Sequence, residues 1–117
     1  MSTFYKFVPA SEAIEIKDFC NRHGLQMTVH ERDDRSMQMY MQIHGEAHRY
    51  YASIDNAEVD GDGVLIGAIG NGNTPDDAIK YYCERISHKK IIINAFSKDS
   101  RNEIWVPGLK HTPEDHP

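Results

Sequence analysis

The longest legible pattern runs from Val64 to Phe96. Val64–Ile69 is apolar apart from Gly67, a short run bounded by glycines, and reads as a buried strand. Gly70-Asn71-Gly72-Asn73 then supplies residues that tolerate positive φ, which predicts a turn. Thr74 stands where an N-cap belongs. Pro75 takes the first helical position, where a missing N–H costs nothing. Asp76 and Asp77 favour the positive end of the helix dipole. Ile79, Tyr82, Cys83 and Ile86 recur at helical spacing, and His88, Lys89 and Lys90 close the helix with positive charge. Ile91-Ile92-Ile93 restarts strand structure.

The flanks follow the same logic. Thr3–Val8 reads as a short strand ended by Pro9. Ser11 caps a predicted helix from Glu12 to His23, with Ile16, Phe19, Cys20 and His23 on its buried side and Gly24 at C′. Leu25–Glu31 alternates, with Leu25, Met27 and Val29 pointing one way; Arg32–Ser36 is a polar turn. Met37–His44 alternates better still. Met37, Met39, Met41 and Ile43 share one face, and Gln38, Tyr40, Gln42 and His44 the other, which predicts an antiparallel strand with one wet side. Arg49–Ile54 is the next strand, Ala57–Val59 extends it or begins another, and Asp60-Gly61-Asp62-Gly63 is a hairpin turn. After Phe96, Ser97–Asn102 is a charged loop and Glu103–Val106 a closing strand ended by Pro107.

The resulting order is β-α-β-β-β-β-α-β-β. Its simplest packing is a single α+β domain over residues 1–107, an antiparallel sheet with two helices on one face. Residues 108–117 have little to bury and read as a disordered C-terminal tail. A length of 117 residues suits one domain. The excess of 18 acidic over 13 basic residues argues against a chain whose main task is holding a phosphate backbone. Cys20 and Cys83, on the apolar faces of the two predicted helices, read as buried free thiols. No signal peptide or long apolar span stands out, so a cytoplasmic protein without a membrane partner is expected.

Candidate chemistry changes this picture little. His44-Gly-Glu-Ala-His48 crosses a predicted strand end and turn, and reads as surface histidines rather than zinc ligands. The acidic run Glu58–Gly63 starts like a calcium loop, but Ile69 occupies the position that needs a bidentate glutamate. Asp76 and Asp77 would repel a phosphate at the Gly70–Thr74 loop. Glu12, Glu15, Asp33, Asp34, Asp99 and Glu103 form no pair that can be placed at catalytic distance. No catalytic residue, metal or cofactor is therefore assigned. Met27, Met37, Met39 and Met41 read as packing under the helices, with an adaptable binding surface as the alternative. For a small anionic ligand the candidates are Tyr40, Arg49, Lys98 and Arg101, the aromatic and cations nearest the predicted sheet ends.

Three resemblances bear on function. The α-β-β-β-α core, with Gly70-Asn-Gly72-Asn-Thr74 opening its last helix, resembles double-stranded-RNA-binding domains; that family has two lysines where this chain has Pro75 and Asp76. Asn73-Thr74-Pro75-Asp76-Asp77-Ala78-Ile79 is similar to the strand-turn-helix of HicB-type antitoxin domains. The whole chain resembles small bacteriophage-encoded accessory proteins in its Thr-Pro-acidic-Ala helix opening, its INAFSKD stretch and its IWVP-like last strand. That last resemblance implies a counter-defence protein that binds a host protein or sequesters a small nucleotide. The expectation is thus a non-enzymatic, homo-oligomeric binding module. The alternatives are a nucleic-acid-binding or antitoxin-like regulator, and a small enzyme using histidine and carboxylates.

Overall fold

The computed structural model describes residues 13–113. Its elements are β1 (Ile14–Glu15), α1 (Ile16–His23), β2 (Met27–Glu31), α2 (Asp34–His44), β3 (Tyr50–Ile54), β4 (Ala57–Gly61), β5 (Val64–Ile66), β6 (Gly70–Gly72), α3 (Pro75–Ile86), β7 (Lys90–Ile93), β8 (Asn102–Trp105) and β9 (Leu109–Lys110). The α+β class holds, but three helices are present among the described residues where two were expected. The strands form an antiparallel sheet β2-β3-β6, an antiparallel sheet β5-β4-β7-β8 and a parallel pair β1-β9. The strand predicted at Thr3–Val8 and the cap predicted at Ser11 lie outside the described residues.

Helix α3 packs on the β2-β3-β6 sheet and shares one core with β7 of the other. Its start is built as the sequence predicts: Thr74 Oγ1 accepts from the Asp77 N–H at 3.1 Å, and Pro75 stands in the first turn. Ala78, Tyr82, Cys83 and Ile86 form its buried stripe. They share one core with Ala52 and Ile54 of β3, Ile91 and Ile93 of β7, and Ile16, Phe19 and Cys20 of α1. The helix ends at Ile86, before the basic cluster, and Lys90 opens β7 instead. Both cysteines are free and buried.

Gly70-Asn71-Gly72 is strand β6, paired with β3, and not the predicted turn. The glycines serve a close backbone approach. A Cβ on Gly70 would lie 2.2 Å from Tyr82 N and 2.3 Å from the Ala78 carbonyl; one on Gly72 would lie 2.4 Å from Ala78 N. Glycine in a strand interior commonly marks such a contact.

Met37–His44 is helical, within α2, where the alternation predicts a strand. Both ends of α2 are capped. The Asp33 carboxylate accepts from the Ser36 N–H at 2.7 Å, and Gly45, at φ 79°, sends its N–H to the Met41 carbonyl. Between them Met and Gln are good helix formers, and no β-branched residue occurs before Ile43. Period 2 over so short a run cannot outweigh two caps. The proposed methionine face and its opposite glutamine–tyrosine face are therefore redistributed around a helix.

Three smaller corrections concern the ends and one edge. Helix α1 begins at Ile16, not Glu12, because Ile14 and Glu15 are extended and pair with Leu109 and Lys110. The same pairing orders part of the stretch read as a tail: Leu109 is buried, and the Glu15 carboxylate accepts from the backbone and hydroxyl of Thr112. His23 is exposed, though its ring lies 4.7 Å from that of Phe19. Val64–Ile66 is a strand, but an exposed edge of its sheet; only Ala68 in that apolar run is buried.

Gly70→Ala or Gly72→Ala should lower stability by about 3 kcal/mol, because the added methyl meets helix backbone that cannot rotate away. Gly67→Ala, with nothing within 4 Å of its Cβ position, should change stability little. Urea unfolding of the three variants checks this. Alkaline pH tests the core separately. Burial pushes the Tyr82 phenol and the Cys83 thiol each up to about 12, while in the unfolded chain they ionise at about 10 and about 8.5. Above the unfolded values the unfolded state holds fewer protons than the native one. Stability is thus full below about pH 8.5 and falls as pH rises toward 12, seen as a declining urea midpoint.

Candidate functional site

The site is built on the face of the β2-β3-β6 sheet turned away from α3. Side chains alternate along a strand, so Met27 and Val29 pack toward the core while Thr28, His30 and Arg32 take the other side. Register adds their neighbours: His30 lies opposite Tyr51, and Tyr51 opposite Asn71.

Arg32 is the buried charged side chain among the described residues, 7 % exposed. Its guanidinium donates from Nη1 to the His48 carbonyl at 2.8 Å and from Nη2 to Asn71 Oδ1 at 2.9 Å. Its planar group also packs on two rings, with Cζ 4.3 Å from the Tyr40 centroid and 4.4 Å from that of Tyr51. The stacking continues outward. His30 stacks on Tyr51 at 4.7 Å, and His44 packs on Tyr40 at 4.3 Å. His30, Tyr51, Arg32, Tyr40 and His44 thus form a continuous run of planar groups from β2 to the end of α2.

This run docks α2. No residue of that helix is buried. Tyr40 reaches the sheet through Arg32, and the first turn is held by Asp34, whose carboxylate accepts from Arg49 Nη2 at 2.9 Å. Arg49 also donates from Nη1 to the Arg32 carbonyl at 2.8 Å. The Asp34 carboxylate raises the Arg49 pKa, and the Ser36 amide holds that of Asp33 below the usual carboxylate range. The Glu31 carboxylate beside Tyr50 pushes its phenol above the ordinary value.

Between α2 and the sheet lies a cleft of about 410 Å³ lined by Glu31, Arg32, Ser36, Met39, Tyr40, Ile43 and Tyr51. The four α2 residues follow helical spacing and form one wall; Glu31, Arg32 and Tyr51 form the floor. Met39, Met41 and Ile43 are exposed on the helix, Ile43 to 73 %. Among the described residues no three His, Cys, Asp or Glu side chains converge to hold a metal.

Of the residues predicted to bind a ligand, Tyr40 lines this cleft and Arg49 braces the helix beside it. Lys98 and Arg101 lie in the connection between β7 and β8, where Arg101 pairs with Glu103, and neither lines the cleft. Arg32 was missed, because its sequence neighbours read as a polar turn. Its one signal is period 2: it continues the Thr28, His30 series one step past the end of β2.

Arg32→Lys should loosen α2, since an ammonium can neither stack between two rings nor hold both acceptors in a fixed fork. Amide exchange across Asp34–His44 should then accelerate while α3 stays protected. Unchanged protection of α2 would contradict this docking scheme. Compared with known proteins, the chain matches no family, no curated protein and no solved structure.

Proposed function

We propose that this chain is a non-enzymatic binding module whose partner is a protein, seated on α2 and in the cleft beneath it. The observation that supports this reading is the state of α2: a helix locked in place by Tyr40 and Asp34 that nevertheless turns Met39, Met41 and Ile43 to solvent. Each such side chain gains about 1.5–3 kcal/mol when fully covered. Methionine adapts its shape to an irregular partner surface. The partner supplies an aliphatic or aromatic anchor that fits between Ile43 and the ring of Tyr51.

A nucleotide suits the cleft less well. Its cation, Arg32, already spends two of its nitrogens on His48 and Asn71 and both of its ring contacts on tyrosines. The other predicted cations do not line the cleft. A net charge of −5 weighs against nucleic acid. The resemblance to small bacteriophage accessory proteins supports a host protein as the partner and counter-defence as the role.

The test compares the wild type with Ile43→Asp as bait in host extract, followed by titration of the purified partner. A side chain at the centre of such a contact costs about 2 kcal/mol or more when replaced. Ile43→Asp should therefore weaken binding at least about 30-fold while leaving the thermal midpoint unchanged, since Ile43 is exposed. Binding of equal strength by both proteins, or turnover of a nucleotide or ester by the wild type, would overturn the reading.

A further inference from the structure

The β5 edge carries an inference independent of the cleft. Strand β5 is the outer strand of the sheet β5-β4-β7-β8, and among the described residues its only partner is β4. Val64, Leu65 and Ile66 are 64 %, 36 % and 43 % exposed, so the strand is apolar on both faces and covered on neither. Natural edges are blunted by lysine, proline or inward charge. The opposite edge of this sheet follows the rule: β8 carries Glu103, tied to Lys90 and Arg101, and Pro107 follows shortly after its end at Trp105. The β5 strand has none of these devices.

The backbone of β5 is also ready to pair. Asp62 and Gly63, at φ 56° and 91°, make a two-residue hairpin turn between Gly61 and Val64. A turn of this length makes Gly61 and Val64 a hydrogen-bonded pair, and hydrogen-bonded pairs alternate along the ladder. The N–H and C=O of Leu65 therefore point away from β4, toward the open edge. Gly63 and Gly67 flank the strand, and nothing lies within 4 Å of the Cβ position of either.

The sequence around Leu65 names the occupant. Gly63-Val64-Leu65-Ile66-Gly67 is symmetric about its central residue: glycine faces glycine, and one β-branched side chain faces another. In an antiparallel pair centred on Leu65, Val64 of one copy meets Ile66 of the other on one face, and the two Leu65 side chains meet on the second. The Leu65 backbones exchange both of their hydrogen bonds. Asp62 falls opposite Ala68 and not opposite itself, so the acidic turns stay apart. Asp60, the next acid, is already paired with Lys90 at 3.2 Å. We propose that a second copy of this chain pairs with the first through β5, two-fold about Leu65, joining two four-stranded sheets into one of eight strands.

Sedimentation equilibrium of the full chain over a range of concentrations, with amide exchange of Leu65, tests this. The wild type should approach twice the chain mass, with Leu65 N–H protection rising as the dimer forms. Leu65→Lys places a charge on an already exposed strand and should raise the dissociation constant about 100-fold or more without unfolding the hairpin. Ile43→Asp should leave the dimer intact, which separates this surface from the α2 cleft. A wild type that stays monomeric throughout overturns the proposal. So does a dimer that survives Leu65→Lys with the Leu65 amide unprotected.

Discussion

The backbone of α3 rests directly on the backbone of β6, with no side chain between them, and the rest of the structure depends on that approach. Two inward positions of the strand must be glycine for the helix to come so close. Once it does, Ala78 and Tyr82 are carried down onto β3 of one sheet, and Cys83 and Ile86 share a core with β7 of the other. Two sheets with short strands, neither large enough to enclose a core alone, thereby share one core with the helix. Close packing of this kind tolerates little change in volume.

The polar half of the molecule depends on the same strand. Asn71 lies between the two glycines, so its side chain is sent to the opposite face, where it accepts from Arg32. A buried guanidinium is costly unless its donors are satisfied. Here they reach β6 and the turn before β3, while its flat faces take Tyr51 from the sheet and Tyr40 from α2. One side chain thus ties the α2 helix to three separate stretches of chain. The glycine strand supports the apolar core on one side and the aromatic–cation run on the other.

This division shapes what the protein can offer a partner. The α3 side is closed and well packed. On the opposite side a fixed helix holds adaptable apolar side chains over a shallow aromatic floor, and at the far sheet edge an apolar strand stands open. Both surfaces are made of large side chains that folding leaves exposed although folding alone gains nothing by it. They lie on different elements, so occupancy of one need not displace the other.

What the sequence determined by itself was local. Gly24 after α1, Thr74 and Pro75 before α3, and the Asp62-Gly63 turn were legible because capping and turn chemistry act within a few residues. The α+β class and the buried thiols followed from periodicity of the same short range. Tertiary structure decided the rest. Alternation in Met37–His44 matched a strand by pattern, but Asp33 and Gly45 capped a helix whose anchors, Tyr40 and Asp34, need the distant Arg32 and Arg49. Gly70 and Gly72 read as turn residues until α3 came to lie against them. Val64–Ile66 had the composition of a buried strand, yet burial depends on which strand ends at the edge, a matter of sheet order. Arg32 reads as the start of a polar turn, because its partners lie on four segments brought together only by the fold. Short-range energies are written in adjacent residues; the close approach of backbones and the sharing of one guanidinium are not.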